Sequence, residues 1–203
     1  MHVFPVETPR LRMRPLAAGD ASLYQHLYTD AETMLFIGEP LSPERAAKSF
    51  RSALAGMRRQ PIEQLFLTVE EAATSTDVGI CSLQNLDRER RCVQAGIMFV
   101  ASARARGYSK EGFIGLIQQV FAELPVDELW VQFAVDHVAV QRAVLSVGFA
   151  RRTEAVEGSR NEPAAGQTQG HGNAWSVRRH TWSPPPSALA TPDKSRLSPP
   201  LNP

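Results

Sequence analysis

Between Leu65 and Leu124 the hydrophobic pattern changes once, and that change limits what this chain can fold into. Leu65 to Val69, Val78 to Leu83 and Cys92 to Val100 are short apolar runs, partly β-branched and separated by polar turns. They are too short for ordinary helices and read as consecutive antiparallel strands. From Ser109 to about Leu124 the period becomes helical, with Phe113, Ile114, Leu116, Ile117, Val120, Phe121 and Leu124 on the buried face. A long helix with so wide an apolar face is buried along that face.

The flanks extend this pattern. Arg10-Leu-Arg-Met-Arg-Pro-Leu16 alternates basic and apolar residues, the period of a half-buried strand with a solvated basic face. Asp20 is placed to cap a helix carrying Leu23, Tyr24 and Leu27, and Asp30 a short one carrying Met34 and Leu35. Ser42-Pro43 joins a hydroxyl cap to a proline at the first helical position, and the helix it opens ends near Arg58-Arg59. Asp87 to Arg91 is a charged hairpin tip. Downstream follow a strand from Leu129 to Val135, a helix from Val138 to Val147 closed by Gly148, and a strand pair at 149–156 and 174–182. Gly158 to Asn173 is rich in Gly, Gln, Asn and Pro and reads as a mobile insert. The Pro-rich stretch 183–203 has no aromatic residue and reads as a disordered tail, so residues 1–182 form one domain.

Composition excludes several classes of function. The 203 residues carry a formal net charge of +1, so no whole-molecule field draws the chain to nucleic acid or to an anionic membrane. Cys81 and Cys92 lie in apolar runs without metal-ligand spacing, which implies no metal and fits a reducing cytoplasm. No stretch approaches the roughly 20 apolar residues of a membrane span.

The segment with the most chemistry is the turn Arg104-Ala-Arg-Gly-Tyr-Ser109 between strand and long helix. A helix start presents amides without intrahelical partners and the positive end of the peptide dipole. Ala105, Gly107 and Ser109 are small enough for a diphosphate to approach the main chain, and Arg104 and Arg106 add charge. Taken alone, this turn is equally well a basic helix cap.

Five segments in order resemble the GNAT superfamily of N-acetyltransferases, especially its ribosomal-protein N-terminal acetyltransferase branch. They are Thr8 to Leu16 with Asp20; Asp30-Ala-Glu-Thr-Met34; Val78-Gly-Ile80 with Ala95-Gly-Ile-Met-Phe99; Arg104-x-x-Gly107-x-Ser109; and Val147-Gly-Phe149. Serine at 109 departs from the family's glycine or alanine. The resemblance implies an α+β (α/β/α) fold: a mixed, mostly antiparallel central sheet, helices on both faces, and a splayed pair of central strands. It implies acetyl-CoA as co-substrate and an amine acceptor, with acetyl passing by direct attack to a primary amine of a protein N-terminus or a small molecule. The chain would work as a monomer or homodimer.

On the same resemblance, strand amides of Met98, Phe99 and Val100 bond the pantetheine arm, and Arg104, Ala105, Arg106, Gly107, Tyr108 and Ser109 hold the pyrophosphate. His137 stands where the family has an asparagine touching pantetheine, and Arg142 matches an arginine of the branch. The positions that supply a proton donor in the family are Val140 and Val144, which cannot move a proton. His137 is the candidate catalytic group, with a helix-start cap as its structural alternative. Gln94 replaces a glutamate base, for which Glu70 and Glu71 are the nearest substitutes. A CoA-binding domain without turnover is the competing reading.

Overall fold

The computed structural model describes residues 5–152 and 173–185. Two short strands, β1 (Val6–Glu7) and β2 (Leu11–Pro15), lead into helices α1 (Ala21–Thr29), α2 (Ala31–Met34) and α3 (Pro43–Met57). Strands β3 (Leu65–Glu71), β4 (Thr76–Asp87) and β5 (Cys92–Phe99) form the expected meander, followed by α4 (Tyr108–Glu123). Then come β6 (Glu128–Phe133), α5 (Val138–Ser146), β7 (Ala150–Arg151) and β8 (Asn173–Arg178). One eight-stranded sheet runs in the order β1-β2-β3-β4-β5-β6-β8-β7, antiparallel except where β5 meets β6. The expected insert at 158–173 lies outside the described residues except Asn173, which opens β8. Of the expected tail, only residues 183–185 are described.

Strand alternation divides the interior into two cores. Leu67, Val69, Cys81, Leu83, Ala95 and Phe99 pack against α4 and α5, whereas Phe66 and Ile80 face α1, α2 and α3. The long helix lies very close to the sheet. A Cβ on Gly115 would come within 2.6 Å of Thr8 Cγ2, so glycine there is a condition of that approach. Ser42 accepts from the Arg45 amide at 3.3 Å and Asp30 accepts from the Thr33 amide at 2.7 Å, as the capping pattern requires.

Asp20 does something other than the capping its sequence position suggested. It sits at the cap position of α1 without a side-chain cap bond. Its carboxylate instead accepts from both terminal nitrogens of Arg14 at 2.8 and 2.9 Å, from the Ala17 amide at 2.8 Å and from Thr68 Oγ1 at 2.7 Å. Arg14 also donates to Glu70 at 2.5 Å and to Asp77 at 3.3 Å. The basic stripe is therefore not a uniformly solvated face. Arg10 and Arg12 remain about half exposed, but Arg14 is the centre of a polar cluster joining β2, β3, β4 and the start of α1.

Burial opposes the charge on Asp20, yet the bonds from Arg14, Ala17 and Thr68 outweigh it and hold its pKa below the ordinary value. A folded pKa below the unfolded one means stability that is complete above the unfolded value and lost as pH falls through the folded value. Arg14→Ala leaves these carboxylates uncompensated and should lower the unfolding free energy by about 3 kcal/mol in denaturant titrations at pH 7. The difference from the wild type should shrink as pH falls below about 4, as the Asp20 carboxylate is protonated. A deficit independent of pH would assign the loss to packing.

Candidate functional site

The site begins where two strands part. β5 and β6 pair only at Cys92 with Glu128, Val93 with Leu129 and Gln94 with Trp130. Beyond that point, β5 stays paired to β4 through Phe99 and β6 stays paired to β8 through Phe133. Each strand is held by its outer neighbour, so a wedge opens inside an intact sheet, between 95–99 on one side and 131–133 on the other. The main-chain groups facing that wedge follow from the antiparallel alternation. Val100 donates its amide to the Val78 carbonyl at 3.0 Å, which makes this a hydrogen-bonded pair and turns Met98 toward β4 as well. Ile97 and Phe99 therefore turn their main-chain groups to the wedge. Ile97 was not among the residues singled out from the sequence, because strand register is its only signal.

Trp175 stands one strand away, paired with Val131, its ring parallel to that of Phe133 with centroids 6.4 Å apart. Its Nε1 is buried without a hydrogen-bond partner. An indole nitrogen only donates, and a buried donor left unpaired costs roughly 1–3 kcal/mol.

The turn after β5 has an unusual backbone. Ala105 and Gly107 both adopt positive φ, 58° and 78°, with Gly107 at the cap position of α4. This places the amides near the helix start in a concave arrangement suited to anions. The first α4 bond runs from the Glu111 amide to the Gly107 carbonyl at 3.3 Å, so the amides of Tyr108, Ser109 and Lys110 precede the helical ladder.

Both arginines of the turn have acidic partners. Arg104 donates to Glu32 at 2.6 Å and to Thr33 Oγ1 at 2.6 Å, and lies 3.7 Å from Asp30, which ties α2 to the turn. Arg106 donates to Glu71 at 2.5 Å, and the Tyr108 hydroxyl donates to the same carboxylate oxygen. Arg10 enters from β2, bonding Glu111 at 2.6 Å and the Arg106 carbonyl at 3.0 Å. The guanidinium carbons of Arg10 and Arg106 lie 4.9 and 4.8 Å from the centre of the Tyr108 ring. Each guanidinium of the turn is anchored by a carboxylate, and the amides that precede the α4 ladder stand beside them as further donors. Glu71, a candidate base, is held below the usual carboxylate range by bonds from Tyr108, Thr74 and Arg106. Glu70 is bound by Arg14.

At the far lip, His137 holds the cap position of α5 by its backbone, without a side-chain cap bond. Its ring stacks on Phe36, with centroids 4.2 Å apart and planes at 21°. Burial lowers its pKa and the neighbouring Asp136 only partly reverses this, so the imidazole is neutral near pH 7 and free to accept a proton. Val140 is half-buried against the core, Val144 is buried, and Arg142 is exposed on α5. Burial pushes the Cys81 thiol far above its ordinary range, which removes it as a nucleophile. Among the described residues no group of three or more His, Cys, Asp or Glu is placed to hold a metal, and no helix is long and apolar enough to cross a membrane. A cavity of about 310 Å³ lies near Arg151, Arg178 and Trp182; none of its walls comes from β5 or β6.

Residues 10–150 match the model of a family described as an acetyltransferase (GNAT) domain. No curated protein matches the chain. Among solved structures, a putative ribosomal-protein-serine acetyltransferase from Vibrio cholerae is 22% identical with a TM-score of 0.68, covering 86% of this chain and 97% of its own. Spermidine N-acetyltransferase from Vibrio cholerae, in complex with CoA and spermine, is 15% identical with a TM-score of 0.67, covering 84% and 96%. A microcin C7 self-immunity acetyltransferase, in complex with acetyl-CoA and AMP, is 15% identical with a TM-score of 0.66, covering 87% and 98%. The splayed central strands and the helix-start turn are thus set in a fold shared with these proteins.

The His137 environment makes a direct prediction. In an NMR titration its imidazole should show a midpoint below about 6.5, and Phe36→Ala should move the midpoint upward, because burial sets the shift. A wild-type midpoint at or above 6.5 contradicts the assignment.

Proposed function

The chain belongs to the GNAT acetyltransferase family, and on that premise we propose that it transfers acetyl from acetyl-CoA to a primary amine by direct attack in the wedge between β5 and β6. The observation that carries this reading is the loss of β5–β6 pairing after Gln94 while both strands remain paired on their outer sides. An extended pantetheine arm fits such a wedge, because its amides can bond the strand edge that the missing partner leaves open. The main-chain groups of Ile97 and Phe99 face it. The buried Nε1 of Trp175 is a donor suited to a ligand carbonyl beside the wedge. The pyrophosphate lies on the turn from Arg104 to Ser109, taking the amides that precede the α4 ladder. Arg104 and Arg106 lend positive potential there while remaining tied to Glu32 and Glu71. Met98 and Val100 would contribute side chains rather than amides.

The chemistry is a transfer between two bound partners. The ammonium of the acceptor loses a proton to His137, whose lowered pKa leaves its ring available as a base. The amine nitrogen bonds the thioester carbon, and an amide of Ile97 or Phe99 receives the oxyanion. The carbon–sulfur bond then breaks, the thiolate takes up the proton held by His137, and the nitrogen, still one proton in excess of an amide, releases it to solvent. Much of the acceleration comes from holding the amine against the thioester. The valines at 140 and 144 favour a second reading, a CoA-binding domain without turnover, because they replace the proton donors with methyl groups.

Two experiments test these assignments. Gly107→Glu should abolish acetyl-CoA binding in calorimetry, since it places a carboxylate on the phosphate path and strains a residue at φ 78°; undiminished affinity would remove the turn from the site. His137→Ala should lower kcat by about 10²-fold while changing acetyl-CoA affinity by less than about threefold. Equal turnover at saturating amine returns His137 to a structural role, and acetyl-CoA binding with no thiol release on any amine supports the turnover-free reading.

A further inference from the structure

One short segment touches both halves of the candidate site. At one end α2 meets the turn: Arg104 donates through Nη1 to Glu32 and through Nη2 to Thr33 Oγ1, each at 2.6 Å, while its Nε donates to the Phe99 carbonyl at 3.4 Å. At the other end Phe36 lies on the His137 ring. The residues between are not a slack loop. Asp30 accepts from the amide and the hydroxyl of Thr33, the Met34 amide donates to the Asp30 carbonyl at 3.0 Å, and the amides of Ile37 and Gly38 donate to the Met34 carbonyl at 2.8 and 2.9 Å. Met34 itself is fully buried in the core on the α1–α3 side of the sheet. Residues 30–38 are thus one hydrogen-bonded piece with a core anchor in the middle and a contact at each end.

A guanidinium carries five N–H groups in a fixed fork. Three serve the bonds to Phe99, Glu32 and Thr33, and the second N–H of each terminal nitrogen can bond a phosphate oxygen while α2 stays attached. The bonds from α2 fix the plane of the fork, which a long arginine side chain would otherwise lose entropy to hold. Glu32 and Asp30 also bring negative charge toward an anion site, which opposes binding. The Glu32 side chain is 71% exposed, so solvent screens its charge, and orientation is the larger effect. At the other end, burial lowers the His137 pKa and Asp136 raises it. The acidic groups on the facing segment are Asp30 and Glu32, both paired with Arg104, and Glu39, exposed three residues past Phe36.

We propose that α2 links the cofactor turn to the proton acceptor, with Glu32 and Thr33 as positioning residues that act through Arg104 on acetyl-CoA and through Phe36 on His137. This rests on the acetyltransferase reading above and adds two residues to that site. Because both contacts belong to one hydrogen-bonded piece, loosening α2 at Arg104 also loosens the ring stacked on His137. Coupling of this kind is reciprocal, so the pyrophosphate on Arg104 steadies the imidazole that receives the proton.

The test measures CoA affinity by calorimetry and the His137 titration midpoint by NMR on the protein without CoA. The variants are Glu32→Gln combined with Thr33→Val, Glu32→Gln alone, and Thr33→Ser, which keeps the hydroxyl. The combined variant should raise the Kd for CoA about fivefold and move the His137 midpoint upward toward about 6.5, as solvent reaches the ring. Glu32→Gln alone, at an exposed side chain, should shift both readings the same way by less, and Thr33→Ser should keep both wild-type values. Loss of a negative charge by itself would do the reverse, tightening CoA and lowering the midpoint. Unchanged or tighter CoA binding overturns the link, and so does a midpoint that stays or falls. Both expected shifts with no thiol release on any amine support the link while refuting acetyl transfer. No CoA binding by the wild type refutes the cofactor turn and the link with it.

Discussion

Three residue pairs at the start of β5 and β6 are the contact on which the rest of the structure depends. They form the parallel junction of an otherwise antiparallel sheet, and the proposed site lies past the point where they stop. A parallel neighbour requires a crossover, which is why α4 must leave the end of β5, cross the sheet and return the chain to β6. The turn with free amides is the start of that crossover. The wedge and the turn at the start of α4 are therefore two consequences of one topological step.

Keeping the wedge open depends on its outer supports. β4 holds β5 through Phe99, and β8 holds β6 from Glu128 to Phe133. At the closed end Arg152 and Glu128 form an ion pair that is almost wholly buried, with Arg152 over the Trp130 ring. Such a pair adds little net stability, but the loss of either partner would leave a buried charge at the junction. On the other flank, the Arg14 cluster clamps β2, β3 and β4 to the start of α1, and the Arg10–Tyr108–Arg106 stack fixes the start of α4 against β2 and β3. Charged groups here act mainly as fasteners between elements.

Local signals made most elements legible. Ser42-Pro43, Asp30 and the Phe113–Leu124 periodicity mark helices that the structure contains within a residue or two. Asp20 misled, because a carboxylate at a helix start has the same sequence signature whether it bonds the helix amides or an arginine six residues earlier in the chain. Arg104 and Arg106 were visible as cations but their partners, Glu32 and Glu71, were not, since ion pairs across 72 and 35 positions leave no local pattern. Ile97 and the stack of Phe36 on His137 were unreadable for the same reason.

The sequence by itself determined most of the elements, their order and the glycine-containing turn, though not the two-residue strand β1; backbone conformation and amphipathic period are short-range properties carried by neighbouring residues. The tertiary structure alone decided which amides face the wedge, which charges neutralise one another, and that His137 loses basicity under Phe36. Those properties depend on register, solvent exclusion and distances between residues far apart in the chain, and they exist only once the sheet has closed around its two cores.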